Sequence, residues 1–207
     1  MLLHIHPDNP QPRNIKTAVD TLRNGGVIIY PTDTIYGLGC DIYNTAAIER
    51  ICRIKGIQPK NAQFSFVCCD LSHLSDYTRS VDTPIFRLLK AALPGPYTFI
   101  LGASKEVPKM LKSKKDTVGI RVPDHKIVQQ LIRELGHPIM SVSLPMDDSE
   151  VEYWTDPELM EERFGNLVDL VIDGGIGHTE ASTVINCTGE IPELVREGAG
   201  EWEKLLA

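Results

Sequence analysis

Hydroxyl and carboxylate side chains are concentrated in a short segment that follows an apolar run. Residues 27–30 are apolar and predict a short buried strand, after which the chain reads Pro31-Thr32-Asp33-Thr34-Ile35-Tyr36-Gly37-Leu38. Open α/β sheets bind ligands in the crevice at their strand ends, so these groups are placed to contact a polar substrate. Pro31 ends the strand because it fixes φ and removes a donor. The alternative is a polar turn capped by its own Thr and Asp side chains.

Cations and further hydroxyls also fall at the ends of predicted elements. Arg121 lies within an otherwise apolar predicted strand, residues 118–122, and a buried charge there requires an anionic partner or a wet cavity. Together with Lys55 and Arg196, it would suit carboxylate and phosphate groups. Taken singly, each is better interpreted as a surface residue or as part of an internal salt bridge. The hydroxyl residues at predicted strand ends are Thr98, Ser141, Ser143, Ser182 and Thr183.

Several familiar chemistries have no counterpart in this sequence. It contains no nucleophile elbow, Walker loop, GxGxxG fingerprint or HExxH motif. The pair His4 and His6 alternates with apolar residues and fits one polar face of a terminal strand better than a metal site. The five cysteines have no CxxC spacing, which indicates buried thiols in a reducing compartment. We therefore expect no protein nucleophile and no metal held by protein ligands.

Composition is that of an ordinary globular protein. The 207 residues are 42% hydrophobic and 24% charged, and the formal net charge of −7 argues against general electrostatic binding of nucleic acid. No apolar stretch has the length of a membrane span, and the N-terminus lacks a secretory signal. These observations predict a cytoplasmic protein with one domain over residues 1–207.

The periodicity of apolar residues predicts alternating helices and strands. Helices are expected at 14–23, after Asn44, after Asp82, at 126–135 and after Thr155, where Pro157 suits the first turn. Strands are expected at 27–30, 64–69, 98–101, 118–122, 139–142, 168–172, 183–186 and 193–195. Because several strands follow one another without a helix, the pattern predicts an α/β domain with a mixed twisted sheet.

Five segments resemble, in the same order, those of the YrdC-like family. They are the Pro31 to Leu38 segment, Pro94-Gly95-Pro96-Tyr97-Thr98, Val118-Gly119-Ile120-Arg121-Val122-Pro123, Ser182-Thr183-Val184-Ile185 and Arg196-Glu197-Gly198-Ala199. The resemblance covers a core of about residues 14–200. It implies a twisted open sheet, flanked by helices, with a large concave cavity. It also implies synthesis of threonylcarbamoyl-AMP from threonine, bicarbonate and ATP, releasing pyrophosphate, for threonylcarbamoyladenosine modification of tRNA.

The resemblance also implies roles for individual residues. Thr34, Arg121 and Ser182 would hold the threonine substrate. Lys55, Ser141, Ser143 and Arg196 would bind the nucleotide, with Mg²⁺ on its phosphates. Further cavity residues would be Thr32, Tyr36, Thr98 and Thr183. Catalysis would then rest on positioning and charge neutralisation.

Two positions depart from the pattern of the synthases in this family. Synthases usually carry Lys-x-Arg and Ser-x-Asn, where this chain has Lys55-Gly56-Ile57 and Ser141-Val142-Ser143. The differences resemble the YciO-like subgroup and predict weak synthase activity or an altered substrate, with Arg53 as a candidate replacement for the missing guanidinium. The alternative is a double-stranded RNA-binding or ribosome-associated protein that uses the same concave face without turnover.

Overall fold

The computed structural model describes residues 1–58, 64–111, 116–145 and 154–206. Its ten strands form one mixed sheet in the order β1-β8-β2-β3-β7-β4-β6-β5-β9-β10. The strands are β1 (Leu2–His4), β2 (Ile28–Tyr30), β3 (Gly37–Asp41), β4 (Ser65–Val67), β5 (Tyr97–Gly102), β6 (Thr117–Arg121), β7 (Ile139–Ser143), β8 (Leu170–Asp173), β9 (Thr183–Asn186) and β10 (Glu193–Arg196). Strand β8 lies between β1 and β2 and is parallel to both.

Helices cover both faces of this sheet. They are α1 (Pro12–Arg23), α2 (Thr45–Lys55), α3 (Leu74–Tyr77), α4 (Thr83–Ala92), α5 (Lys126–Leu135), α6 (Pro157–Phe164) and α7 (Trp202–Leu206). Helices α1 and α5 pack on one face, in a core cluster that contains Ile28, Ile139 and Leu170. Helices α2, α4 and α6 contribute to a larger cluster on the other face, which contains Phe66, Phe99 and Ile120. The predicted α/β domain with a mixed open sheet is confirmed.

Helices α1 and α5 cover only part of their face. Paired residues in neighbouring strands point to the same side, so the register carries this face from Ile28 through Gly39, Ser141, Ser65 and Gly119 to Ile100. It continues from Thr98 through Val184 to Arg196. Residues Ser65, Ile100 and Val184 are only half-buried, whereas Phe99, Ile120 and Ile185 on the opposite face are fully buried. We call the part of this face from Ser141 across β4, β6, β5 and β9 to Arg196 the open face.

One predicted turn is a strand. Gly37 and Gly39 follow the Thr/Asp segment and are of a residue type typical of turns, but both lie in β3, which pairs with β2 and β7. Their role is close approach: a Cβ at Gly37 would lie 2.9 Å from Cζ of Tyr30, and one at Gly39 2.9 Å from its Cε1. The glycines therefore make room for an aromatic ring that crosses the strand.

Two helix starts also differ from the prediction. Helix α1 begins at Pro12 after Gln11, and the Asn14 side chain donates to the carbonyl of His4 instead of capping. Helix α6 is capped by Asp156, which accepts from the backbone N–H of Glu158. Pro at the first position of α1 starts the helix without a side-chain cap.

Candidate functional site

Arg121 is held at the end of β6 by the loop that follows β2. Its Nη2 donates to Oδ1 of Asp33 at 2.6 Å, to Oγ1 of Thr34 at 2.6 Å and to Oγ1 of Thr32 at 3.0 Å. The side chains of Arg121 and Asp33 are only 11% and 10% exposed. The anionic partner that a strand Arg requires is thus Asp33, which the sequence-based site did not include. The sequence could have identified this partner, because Asp33 is the one carboxylate in the loop of residues 31–36.

The loop is itself fixed by internal hydrogen bonds. The hydroxyl of Thr32 accepts from the backbone N–H of Thr34 and donates to the carbonyl of Ile35. Asp33 accepts from the backbone N–H of Asp124 through its second oxygen. Thr34 is fully buried. The cation is therefore held in a rigid environment, while Nε of Arg121 is buried without a partner among the described residues.

Arg196 occupies the far side of the open face. Its guanidinium donates to the carbonyl oxygen of Ser182 at 2.7 Å and to the Ser182 hydroxyl at 3.4 Å. That hydroxyl is 2.9 Å from the hydroxyl of Thr98. Burial, and secondarily the nearby positive charge of Arg121, lowers the pKa of Arg196 from its usual value. The structure thus brings Arg196, Ser182 and Thr98 together on the side where Arg121 also lies.

Lys55 reaches the open face from the end of α2. Its Nζ donates to the carbonyl of Leu144 at 3.1 Å and to the hydroxyl of Ser143 at 3.4 Å. Burial lowers the pKa of Lys55. The C-terminal end of α2 places this Lys because Gly56 adopts φ +65° and ends the helix. Arg53 is exposed on the same helix, and Ile57 is half-buried against the larger core cluster.

Ser141 belongs to the same site, and the side chain of Tyr30 holds its hydroxyl in place. Its hydroxyl accepts a hydrogen bond of 2.6 Å from the hydroxyl of Tyr30. Both residues are buried. Tyr30 was absent from the predicted site; a Tyr at the end of an apolar strand, which must find a partner for its hydroxyl, was the available signal.

The structure places two predicted cavity residues, Thr183 and Tyr36, away from the open face. Thr183 pairs with Tyr97 on the opposite face, is fully buried, and bonds Gly200 through its hydroxyl. Tyr36 is buried, and its hydroxyl donates to the carbonyl of Gly175. These positions correct the prediction for Thr183 and Tyr36, whose hydroxyls hold loops. Thr32 holds the Arg121 loop in the same way.

Tyr36 and Thr32 line a separate cleft of about 270 Å³. Asp33 and Asp124 contribute carboxylates to it, and the loop of residues 174–178 closes one side. His125 also lines this cleft, and burial lowers the pKa of its imidazole. The cleft shares Asp33 with the Arg121 environment but is not part of the open face.

The charges on the open face are unevenly compensated. Arg121 is neutralised by Asp33. Within the ranges that the structure describes, neither Lys55 nor Arg196 forms an ion pair, and both donate to uncharged oxygens. These two partly desolvated cations, which have no acidic partner in the described ranges, would favour an anionic ligand.

The described residues contain neither a cluster of metal ligands nor a membrane-spanning helix. Among the described residues, no group of three or more His, Cys, Asp or Glu side chains could hold a metal ion. No helix in the same ranges is long and apolar enough to cross a membrane. The five cysteines are free thiols, and four of them are buried.

A mixed open sheet with these motifs at its strand ends defines a known class of protein. The model of the family of Sua5, YciO and YrdC proteins, described as "Telomere recombination", matches residues 20–198. The chain therefore belongs to the Sua5/YciO/YrdC family.

Individual relatives cover almost the whole chain. The YciO protein of Escherichia coli is 48% identical over 204 residues, 98% of both chains. The crystal structure of E. coli YciO matches with a TM-score of 0.90 over 97% of both chains. The threonylcarbamoyl-AMP synthase of Coxiella burnetii is 32% identical over 184 residues, 88% of this chain and 97% of the relative.

A solved relative carries an amino acid. The structure of P. abyssi Sua5 complexed with L-threonine matches with a TM-score of 0.87 at 27% identity. The matched region covers 99% of this chain and 59% of the P. abyssi Sua5 chain. The family resemblance expected from the sequence motifs, including the likeness to YciO, is confirmed.

Proposed function

We propose that this protein binds ATP on the open face and forms an acyl adenylate of the threonylcarbamoyl-AMP type. The observation that carries the proposal is the pair of cations, Lys55 and Arg196, which lack acidic partners in the described part of the chain. Arg121, by contrast, is already neutralised by Asp33. Phosphates satisfy such cations through charge-assisted hydrogen bonds. The synthase named among the relatives and the threonine held by P. abyssi Sua5 support the same reaction.

The reaction joins three substrates. The amino group of threonine and bicarbonate give a carbamate and water, and a carbamate oxygen then attacks the α-phosphorus of ATP. The bond to pyrophosphate breaks, and pyrophosphate leaves with its electron pair. No protein nucleophile is required, so the chain contributes position and charge.

Each residue group has a place in this proposal. Lys55, Ser143, Ser141 and Arg196 hold the phosphates and the nucleotide. The carboxylate of the amino acid lies at Arg121, whose Nε is buried and unpartnered within the described ranges. Ser182 and Thr98 lie near the amino-acid end of the site. Their hydroxyls bond each other, and the Ser182 hydroxyl also accepts from Arg196. Thr34 acts by holding Arg121 in place.

Mg²⁺ enters this proposal with the nucleotide. The site offers cations and hydroxyls, and its carboxylate, Asp33, is bound to Arg121. This donor set fits phosphates and does not fit a metal held by the protein. When bound, Mg²⁺ neutralises phosphate charge.

The two departures from the synthase pattern predict how much weaker the binding, or slower the reaction, should be. Ser143 accepts from Lys55 and supplies no amide, and Ile57 supplies no guanidinium at the end of α2. Loss of one charged phosphate contact costs about 1.5–3 kcal/mol. That is roughly one to two decades in binding or rate. We therefore expect slow synthesis with threonine, or faster synthesis with a related amino acid.

Pyrophosphate release tests the proposal. Purified protein is incubated with ATP, Mg²⁺, bicarbonate and each of the common amino acids in turn. The expected result is release that requires both bicarbonate and one amino acid. Failure of ATP to bind at millimolar concentration in calorimetry would refute the nucleotide assignment. Binding of double-stranded RNA under the same conditions would then favour the RNA-binding alternative.

A matched pair of variants locates the activity. Arg196→Gln removes a cation of the open face, and we expect ATP affinity to fall about 10- to 100-fold. Arg87→Gln makes the same change on an exposed position of α4. It is expected to leave affinity unchanged. Equal effects of both variants would show that ATP binds elsewhere.

A further inference from the structure

The Tyr30 ring crosses a neighbouring strand to reach the site. Tyr30 ends β2, and its side chain extends over β3 toward β7. It passes over Gly37 and Gly39, where any Cβ would come within 2.9 Å of the ring. A Cβ at Gly37 would also lie 3.1 Å from the hydroxyl oxygen of Ser141. The two glycines and the aromatic ring therefore form one arrangement, which ends at Ser141.

The Tyr30 hydroxyl is a permanent donor. It donates to the Ser141 hydroxyl at 2.6 Å, and Tyr30 is fully buried. Burial raises the pKa of Tyr30 to about 12, although its hydrogen bond with Ser141 and the charge of Arg121 act in the opposite direction. Tyr30 therefore stays protonated across the working range of pH.

This hydrogen bond determines the direction of the Ser141 proton. A hydroxyl has one proton and two lone pairs, and Ser141 uses a lone pair to accept from Tyr30. Among the described residues, none accepts a hydrogen bond from this proton. Ser141 lies at the border of the open face, between the covered part of the sheet and β4. Its proton is thus available to an acceptor on that face.

We propose that Tyr30 is a positioning residue that holds the Ser141 hydroxyl as a donor to a phosphate oxygen of the bound nucleotide. The inference rests on the proposed function. Without Tyr30, the Ser141 hydroxyl rotates among its staggered positions, and its use as a donor carries an entropic cost. Tyr30 acts through Ser141 and does not touch the nucleotide.

A double-mutant cycle tests this coupling, with ATP affinity measured by calorimetry in the presence of Mg²⁺. Tyr30→Phe keeps the ring and removes the hydroxyl, and we expect ATP affinity to fall about 3- to 10-fold. Ser141→Ala should cause at least the same loss. If Tyr30 acts through Ser141, the double variant binds ATP as Ser141→Ala does. If the loss of ATP affinity in the double variant equals the product of the losses in the two single variants, the inference is wrong.

Thermal stability separates positioning from packing. Ser141→Ala leaves the Tyr30 hydroxyl buried without its acceptor, and we expect a lower melting temperature. Adding Tyr30→Phe removes that hydroxyl, so stability recovers while ATP affinity does not. Recovery of both quantities together would show that the affinity loss came from disrupted packing, against the inference.

A matched control and the wild-type protein complete the design. Tyr97→Phe removes the hydroxyl of another buried Tyr, one that lies on the opposite face and bonds the carbonyl of Glu201. Its ATP affinity should equal that of the wild type. If wild-type protein binds ATP and Tyr30→Phe binds it equally well, the inference fails and the proposed function stands. If the wild type does not bind ATP, the proposed function fails and the inference falls with it.

Discussion

Replacing Lys55 by Met separates the binding role of this residue from any structural role. Methionine keeps an unbranched side chain of similar length and removes the charge. Among the described residues, Nζ of Lys55 donates to neutral oxygens, those of Leu144 and Ser143. Because burial lowers its pKa, the folded state disfavours the charged form. We therefore expect the charge to serve the proposed ligand and not the stability of the fold.

The magnitude follows from the contact that would be lost. A hydrogen bond from a charged donor contributes about 1.5–3 kcal/mol. We expect the Kd for ATP to rise roughly 10- to 150-fold in Lys55→Met. The free energy of unfolding should change by less than about 1 kcal/mol, since the desolvation penalty on the buried charge offsets its hydrogen bonds to Leu144 and Ser143.

Calorimetric titration with ATP and urea denaturation measure the two quantities. Lys105→Met removes the same charge from an exposed position and is the control. Unchanged affinity in Lys55→Met, or an equal loss in Lys105→Met, would refute the reasoning. A large loss of stability in Lys55→Met would show that the Lys has a structural role instead.

The pH dependence of ATP binding gives a second readout for the same residue. The pKa of Lys55 is lowered in the folded protein, so its charge is lost at a lower pH than that of an ordinary lysine. Affinity for ATP should fall as pH rises through this lowered pKa. Stability changes in the opposite sense, because the unfavourable folded-state charge is relieved as pH rises. Lys55→Arg should move the fall in affinity to higher pH, and an unchanged profile would contradict the assignment.

Three further outcomes are expected. Asp33→Asn leaves the Arg121 guanidinium with a neutral partner in place of an anion at 2.6 Å, and urea denaturation should show a loss of up to about 3–5 kcal/mol; an unchanged midpoint would contradict the buried ion pair. Gly39→Ala should lower the free energy of unfolding by about 1–3 kcal/mol, whereas Gly189→Ala, where the nearest atom to a Cβ is 3.9 Å away, should have little effect; similar values for both would disprove the close approach. Ser143→Asn should raise threonine-dependent pyrophosphate release by at most about tenfold, because an amide adds one contact without an adapted surrounding; no increase would show that this position does not limit the rate.

The sequence predicted most elements because their apolar periodicity was strong. Helix α5 and the strands around Arg121 and Ser141 lie within a residue or two of their expected bounds. Strand β3 was missed because two of its five residues are glycine, which local rules assign to turns. The close approach of the Tyr30 ring helps to explain those glycines, and the position of that ring depends on the pairing of β2, β3 and β7.

The sequence named candidate site residues but not the residues that hold them in place. Arg121 was expected to need an anion, and the sequence does not say that the anion comes from the loop of residues 31–36. Thr183 was expected in the cavity beside Ser182, yet successive strand residues point to opposite faces. Such assignments require the register of the sheet, which depends on contacts between residues far apart in sequence.

The position of β8 between β1 and β2 has a consequence for how the chain is made. Both N-terminal strands need β8 as a neighbour, and β8 ends at Asp173. At about 5–20 residues per second, a ribosome finishes β8 roughly ten to thirty seconds after β2. During that interval β2 can pair with β3, but its other edge and the apolar Ile28 and Ile29 stay open. The nascent chain thus exposes an unpaired, apolar strand edge to chaperones until most of the protein has been synthesised.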